Sequence, residues 1–240
     1  MNTIVSFYTS KNSYPLSDAY KQSVDLACQR WNCNYVLITV PLQPEGYHDM
    51  YTKLYLPSLI KDYDRCLYLD TDVVIKSDAP NPFEIYDDTS KVYVVKDMQQ
   101  DLLTHEQVDH FKDVHLCGPY YQECKRVLNV DMSYFDYKNK FFNAGVLLFT
   151  PSIHNHLFDK IIDVLSLLSD KFKNNHLVEQ SLVNYTFMSY LDDKLTYIPK
   201  EWNYIDPPIE NKMEGYIYHF TGFNYKIYKE ILPSFDLWKK

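Results

Sequence analysis

The chain has 240 residues, 46% of them hydrophobic, which suits a single α/β domain spanning 1–240 with a sizeable apolar core. Its net charge of −8 excludes a nucleic-acid partner, because binding to a phosphate backbone needs a basic surface, and it admits an anionic small substrate only where a metal and local lysines offset the acidity. The five cysteines, Cys28, Cys33, Cys66, Cys117 and Cys124, are odd in number and form no CxxC pair, so they read as reduced thiols and not as a disulfide framework or a zinc site. The opening MNTIVSFYTS lacks a basic start followed by a long apolar region, and no later run approaches the ~18 apolar residues of a transmembrane segment. The expectation is a soluble, cytoplasmic protein. The 23 tyrosines fit a biased base composition better than a dedicated sugar-stacking surface.

Strand and helix signals alternate from the start. Thr3 to Tyr8 is a short apolar strand, followed by the polar turn TSKNSYP and by Tyr20, Val24, Ala27 and Trp31 at helical spacing. Tyr35 to Val40 is a second strand, and Met50 to Ile60 is helical, kinked or divided at Pro57. Arg65 to Lys76, RCLYLDTDVVIK, is the third strand, and the proline-rich loop SDAPNPF leads from it towards a fourth at Lys91 to Val95, with Asp97 just beyond its end. Between Asp97 and Lys140 the signal weakens to two short helices, around Thr104 to Phe111 and Tyr120 to Leu128. Phe142 to Thr150 restores a buried strand, Ile153 to Leu168 and Leu177 to Tyr190 read as amphipathic helices, and Tyr216 to Phe220 is a late strand. This alternation predicts the α/β class with an open parallel or mixed sheet.

Within the third strand, Asp70 and Asp72 interrupt an otherwise apolar run. Residues two apart on a strand share a face, so the expectation is that both carboxylates emerge together and repel unless a cation lies between them. Hard divalent cations such as Mg2+ or Mn2+ prefer carboxylate oxygens. Thr9, Asp72, Asp97 and His219 all follow or close apolar strands, where ligands of open α/β sheets bind. There is no GxGxxG after the first strand and no GxxxxGKS or GxxxxGKT anywhere, so a nucleotide would have to be held through its diphosphate by the metal.

Taken in order, YTKLYLPSLIKDYDRC, LYLDTDVVI, FNAGVLLFTPS, EQSLVN, IPKEWNY and HFTG resemble glycosyltransferase family 8, the retaining group that includes glycogenin and bacterial lipooligosaccharide galactosyltransferases. The resemblance runs from the first strand to about Lys226. It implies a GT-A fold, with a Rossmann-like mixed central sheet flanked by helices. It also implies transfer of a hexose, glucose or galactose first, from a UDP-sugar to a glycan or protein hydroxyl, with Mn2+ as cofactor and Mg2+ as the substitute. A homodimer is the assembly to test. By the same resemblance Asp70 and Asp72 are the DxD metal ligands, His219 is the third, and Thr71 lies between them in the donor site. Phe7, Tyr8, Thr9 and Tyr14 match the loop around the uridine, and Lys53 matches a cation near the donor phosphate and sugar. Asn143, Ala144 and Gly145 match the segment lining the donor sugar, Asp97 matches an aspartate that holds sugar hydroxyls, and Glu179 with Gln180 matches the pair beside the reacting carbon. Gly222 and Lys226 fall in the late motif.

The chain departs from the family pattern at Glu179, where Asp is usual, and at Tyr225, where the lysine six residues after the histidine is displaced to Lys226. Taken singly, the residues also have plainer readings: Asn143 as a cap on a strand, Lys53 as a solvated charge, His219 as a core histidine. The remaining histidines, His48, His105, His110, His115, His154, His156 and His176, read as surface or loop residues, and His154 and His156 as helix capping. Two alternatives accompany the main reading. One is a haloacid-dehalogenase-like phosphatase with Asp70 as nucleophile. The other is a self-glucosylating primer, with Tyr134 and Tyr137 in a surface loop as acceptors.

Overall fold

A computed structural model describes residues 1–8, 18–97, 106, 110, 113–114, 117–205 and 215–220. Strand β1 (Thr3–Phe7) is buried along its whole length, as suits a central strand covered on both faces. Helix α1 (Asp18–Trp31) buries Tyr20, Val24, Ala27 and Trp31, the residues whose spacing predicts it. It ends where Asn32 takes φ +50°, and strand β2 (Asn34–Ile38) begins two residues later. The predicted helix over 50–60 is divided: a 3-10 helix, Asp49–Tyr55, passes into α2 (Leu56–Leu59). Pro57 sits in the first turn of α2, where a missing N–H costs nothing.

The stretch predicted as one strand over 65–76 is two. Strand β3 (Cys66–Leu69) stops before Asp70, and β4 (Val73–Ile75) resumes after Asp72 in a different sheet. The aspartates therefore lie in the turn between two sheets and do not share a strand face. Next come α3 (Pro82–Ile85), β5 (Val92–Lys96), α4 (Gly118–Leu128), α5 (Tyr134–Lys140) and β6 (Phe142–Phe149). Helices α6 (Pro151–Val164), α7 (Asp170–Lys173) and α8 (His176–Tyr190) precede β7 (Leu195–Ile198), β8 (Tyr204–Ile205) and β9 (Ile217–His219). Strands β7 and β8 were not predicted: they are short, and β7 is only half-buried, so neither carries an apolar run.

The main sheet has the order β2-β1-β3-β6-β5-β7, with β6 antiparallel to both neighbours and the other pairs parallel. A small sheet, β4-β9-β8, stands beside it. Alternation along the strands sends Val5, Tyr68, Val94 and Leu147 into a core under α4, α5, α6 and α8. The other face sends Ile4, Leu67, Val95 and Leu148 into a second core with α1 and the small sheet.

Many tyrosines are core residues. Tyr121, Tyr137 and Tyr185 pack ring against ring, and their hydroxyls donate to the carbonyls of Met132, Ser181 and Val130. A buried phenol is tolerated when its hydroxyl is so paired. The expected surface loop holding Tyr134 and Tyr137 is instead α5, in which Tyr137 is fully buried and the Tyr134 hydroxyl binds Asp113 at 2.6 Å. His154, expected at the surface, is buried. Its Nδ1 accepts from the Thr150 amide at 3.1 Å, so it does cap the start of α6, as expected. The predicted helix over 104–111 lies almost wholly outside the described residues.

Candidate metal and donor site

The turn Asp70–Thr71–Asp72 is fixed at both ends by backbone bonds to different sheets. The Asp70 amide donates to the Gly145 carbonyl at 2.8 Å, extending the β3–β6 pairing by one residue. The Asp72 carbonyl accepts from the Phe220 amide at 2.8 Å, extending the β4–β9 ladder in which Val73 faces His219. Those two anchors bring His219 to the aspartates from far along the chain. Its Nε2 lies 3.1 Å from Asp72 Oδ1 and 3.9 Å from Asp70 Oδ2.

One ligand atom from each of Asp70, Asp72 and His219 lies within 4.8 Å of the other two. Two carboxylates so close repel one another unless positive charge lies between them, supplied by a proton on His219 or by a bound cation, and the mixed O, O, N donor set suits Mn2+ better than Ca2+. The residues present therefore fit a divalent transition metal. Gly145 makes room for the cluster: a Cβ there would stand 2.4 Å from His219 Cε1, 2.6 Å from Asp70 Oδ2 and 2.8 Å from Asn143 Oδ1.

Behind Asp70 lies a buried charge network. Lys53 Nζ is 3.4 Å from Asp70 Oδ1 and 3.3 Å from Glu179 Oε1, and it donates to the Ala144 carbonyl at 3.2 Å. Lys53 and Glu179 are 3% and 1% exposed, which rules out the solvated-charge reading of Lys53. Its ammonium also stands 4.8 Å above the Tyr68 ring, while the Tyr68 hydroxyl donates to Asp70 Oδ1. Burial alone lowers the Lys53 pKa, but Asp70 and Glu179 outweigh it and hold the lysine charged. Burial pushes the Glu179 carboxyl up to about 7, Lys53 opposing and Asp70 adding to the rise.

The FNAG segment enters the site through an irregularity in β6. Against β5 the register steps from Val94↔Leu147 to Val95↔Asn143, so Ala144, Gly145 and Val146 arch out of that pairing. Bulges of this kind re-aim side chains beside active sites. Helix α8 braces the arch and the strand start that leads into it. Gln180 Oε1 accepts from the Ala144 amide at 3.1 Å, and Asn184 both accepts from the Phe142 amide (2.7 Å) and donates to its carbonyl (2.8 Å). Residues 180 and 184 are one helical turn apart and so reach the same strand.

The other predicted site residues fall as follows. Asp97 is buried at the end of β5, its amide donating to the Phe141 carbonyl at 3.0 Å, beside the start of β6. The Phe7 ring belongs to the core, and Tyr8 is the half-buried residue that follows the strand. Thr71 is half-buried in the metal turn. Thr9, Tyr14, Gly222 and Lys226 lie outside the described residues, as does Tyr225. Three residues given no role from sequence are central here: Tyr68, Asn184 and Asn203. Asn203 donates from Nδ2 to Asn143 Oδ1 at 3.0 Å and meets His219 Nδ1 through Oδ1 at 3.0 Å. Its signal was its place in IPKEWNY, and that of Asn184 was its spacing of four from Gln180.

Among solved structures, the chain resembles a glycosyltransferase involved in glycosylating the major capsid of PBCV-1 (12% identity, 98% of this chain and 99% of that one, TM-score 0.60). It also resembles the galactosyltransferase LgtC (15% identity, 97% and 95%, TM-score 0.54). A third likeness is to the bifunctional glycosyltransferase WbbM, at 18% identity and TM-score 0.55, covering 91% of this chain but only 45% of that one. These likenesses establish the GT-A fold. No curated protein sequence matches the chain. Among the described residues, no helix is long and apolar enough to cross a membrane. Residues 13–226 match the sequence model named Glycosyl transferase family 8, and with the same fold and an Asp-Asp-His cluster at the end of its third strand, the chain belongs to glycosyltransferase family 8.

Proposed function

We propose that the protein transfers a hexose, galactose or glucose, from a UDP-sugar to a hydroxyl of a glycan or protein acceptor, with retention of anomeric configuration. The observation that carries this reading is the convergence of Asp70, Asp72 and His219 beside the arched FNAG segment and the Lys53–Glu179 pair. Galactose has the added support that LgtC, which shares the fold, is named a galactosyltransferase. When bound by Asp70, Asp72 and His219, Mn2+ supplies Lewis-acid neutralisation of the diphosphate leaving group.

The chain's own residues do the rest. Lys53 offsets the charge on Asp70 and keeps that carboxylate turned into the site. Asn143 has its Oδ1 occupied by the Gly145 and Asn203 donors, which leaves its amide NH2 to offer a sugar hydroxyl. Asp97, an acceptor when ionised, receives a sugar hydroxyl at the adjoining strand end. The half-buried Tyr8 gives the uracil a ring to stack on. Gln180 braces the backbone of Ala144 through its only strongly accepting atom, so the side chain serves more naturally to shape the pocket than to attack carbon. The self-glucosylating alternative loses Tyr137 as acceptor because that residue is fully buried. Family membership removes the basis for the phosphatase alternative.

The test is a hydrolysis and transfer screen of purified protein across sugar nucleotides, with and without Mn2+. Asp72→Ala and Asp70→Ala are each expected to lose on the order of 10² to 10³ or more in rate. Full turnover by either variant at saturating Mn2+ would overturn the assignment.

A further inference from the structure

We propose that Asn203 is the positioning residue for the metal centre: its side-chain amide sets the tautomer of His219, aims the His219 Nε2 lone pair at Asp70 and Asp72, and ties that ligand to Asn143. The inference deepens the metal reading above and rests on it.

The Gly145 backbone amide fixes the direction of this network. A backbone N–H can only donate, and the Gly145 amide points to Asn143 Oδ1 at 2.8 Å, so that atom is the amide oxygen. Asn203 meets the same oxygen at 3.0 Å and must therefore present its NH2. The other end of its amide, Oδ1, then faces His219 Nδ1 at 3.0 Å. An oxygen there can only accept, so Nδ1 carries the proton. In a neutral imidazole the remaining nitrogen is then the acceptor, and Nε2 is the atom beside both aspartates. The chain Gly145, Asn143, Asn203, His219 thus converts one fixed backbone donor into a ligand-competent histidine.

The position of Asn203 is itself prepared. It closes the 3-10 turn Lys200–Asn203 just before β8, which pairs in parallel with the strand that carries His219, Ile205 lying opposite His219. Trp202 anchors the turn between Tyr86 and Tyr216, with ring centroids 5.5 and 5.0 Å away. Asn203 is 2% and His219 2% exposed, so solvent does not reorient either group. Metal-bound histidines generally donate their second ring N–H to such a partner, which raises ligand basicity and fixes the ring. A side-chain amide that also holds the donor-lining Asn143 links metal and sugar subsites through one residue.

The first measurement needs no metal: the 15N spectrum of histidine-labelled protein at a pH where His219 is neutral, its resonances assigned by their loss in His219→Gln. Protonation at Nδ1 of neutral His219 is expected, and protonation at Nε2 overturns the proposal. The second is titration of the protein with Mn2+ alone, followed by electron paramagnetic resonance. Asn203→Ala is expected to weaken Mn2+ about 10- to 100-fold, whereas Asn203→Asp, which still accepts from Nδ1 although it sets an oxygen against Asn143 Oδ1, is expected to lose clearly less than Asn203→Ala. Asn203→Ala binding as tightly as the parent, or Asn203→Asp binding as weakly as Asn203→Ala, overturns it. Should the parent protein bind no Mn2+, the metal reading fails, and the proposal, which rests on it, falls with it. If the parent binds Mn2+ but the tautomer or variant results go the other way, Asn203 alone is wrong. If Asn203→Ala fails to fold, the spectrum and the Asn203→Asp titration still decide.

Discussion

Lys53 is where the charge balance of the site is set: one buried ammonium serves two carboxylates, Asp70 and Glu179. Removing it strands Glu179, a carboxylate 1% exposed, without its counter-charge. Breaking a buried pair by deleting one partner costs about 3 to 5 kcal/mol, so Lys53→Ala should show that loss in urea unfolding at neutral pH. Glu179→Gln keeps the volume and leaves Lys53 with Asp70 and the Ala144 carbonyl as partners, so it should cost less than Lys53→Ala in the same unfolding series. Gly145→Ala tests the opposite constraint. The added methyl meets His219, Asp70 and Asn143 at once and should destabilise by about 1 to 3 kcal/mol while abolishing Mn2+ binding in the same titration. The sequence made the residue types at these positions legible. It could not show that Lys53 is shared, because Glu179 comes from a helix 126 residues further on.

At the scale of elements, α8 is the brace of the arched strand. Asn184 takes up both the amide and the carbonyl of Phe142, and both residues are buried. Asn184→Ala leaves an N–H and a C=O unpaired, each costing about 1 to 3 kcal/mol, so a clear drop in thermal midpoint is expected together with a raised donor KM. A second junction joins α4 to the segment before α7. Glu123 accepts from Arg126 Nε and Nη2 at 3.0 and 2.6 Å and from the Ser169 amide at 2.8 Å, and the Arg126 bonds in particular hold its pKa down to about 2, against an ordinary value of 4.5. A carboxylate with a depressed pKa stabilises the fold above its unfolded value and loses that contribution as pH falls through its folded one. The stability gap between the parent protein and Glu123→Gln should therefore be on the order of 2 kcal/mol at pH 7, allowing for the half-exposed Arg126, and shrink from pH 4.5 towards pH 2. Urea midpoints across that range provide the check. Strands with long apolar runs were legible at this scale, whereas the arch in β6 was not, since a register step leaves no mark on hydrophobic alternation.

For the molecule as a whole, the metal site lies where the main sheet hands the chain to the small one, so a bound ion ties the two sheets together. At a concentration 100 times its dissociation constant, a ligand of the native state adds about 2.7 kcal/mol, which for a chain of this size is a rise of about 5 to 10 °C in Tm. Mn2+ should produce that rise in the parent protein and none in His219→Ala, by differential scanning fluorimetry. The sequence alone determined the α/β class, through its periodicity, and the aspartate pair, as polar residues conspicuous within an apolar run, while the family was legible only through the resemblance of its motifs taken in order. Only the tertiary structure decided how the pair converges. The expected strand breaks at Asp70, its two halves pair with β6 and β9, and the break itself turns both carboxylates towards His219. The tautomer of that histidine was likewise beyond the sequence, because it passes from a backbone amide at Gly145 through Asn143 and Asn203, and hydrogen-bond direction is a property of atoms brought together in space.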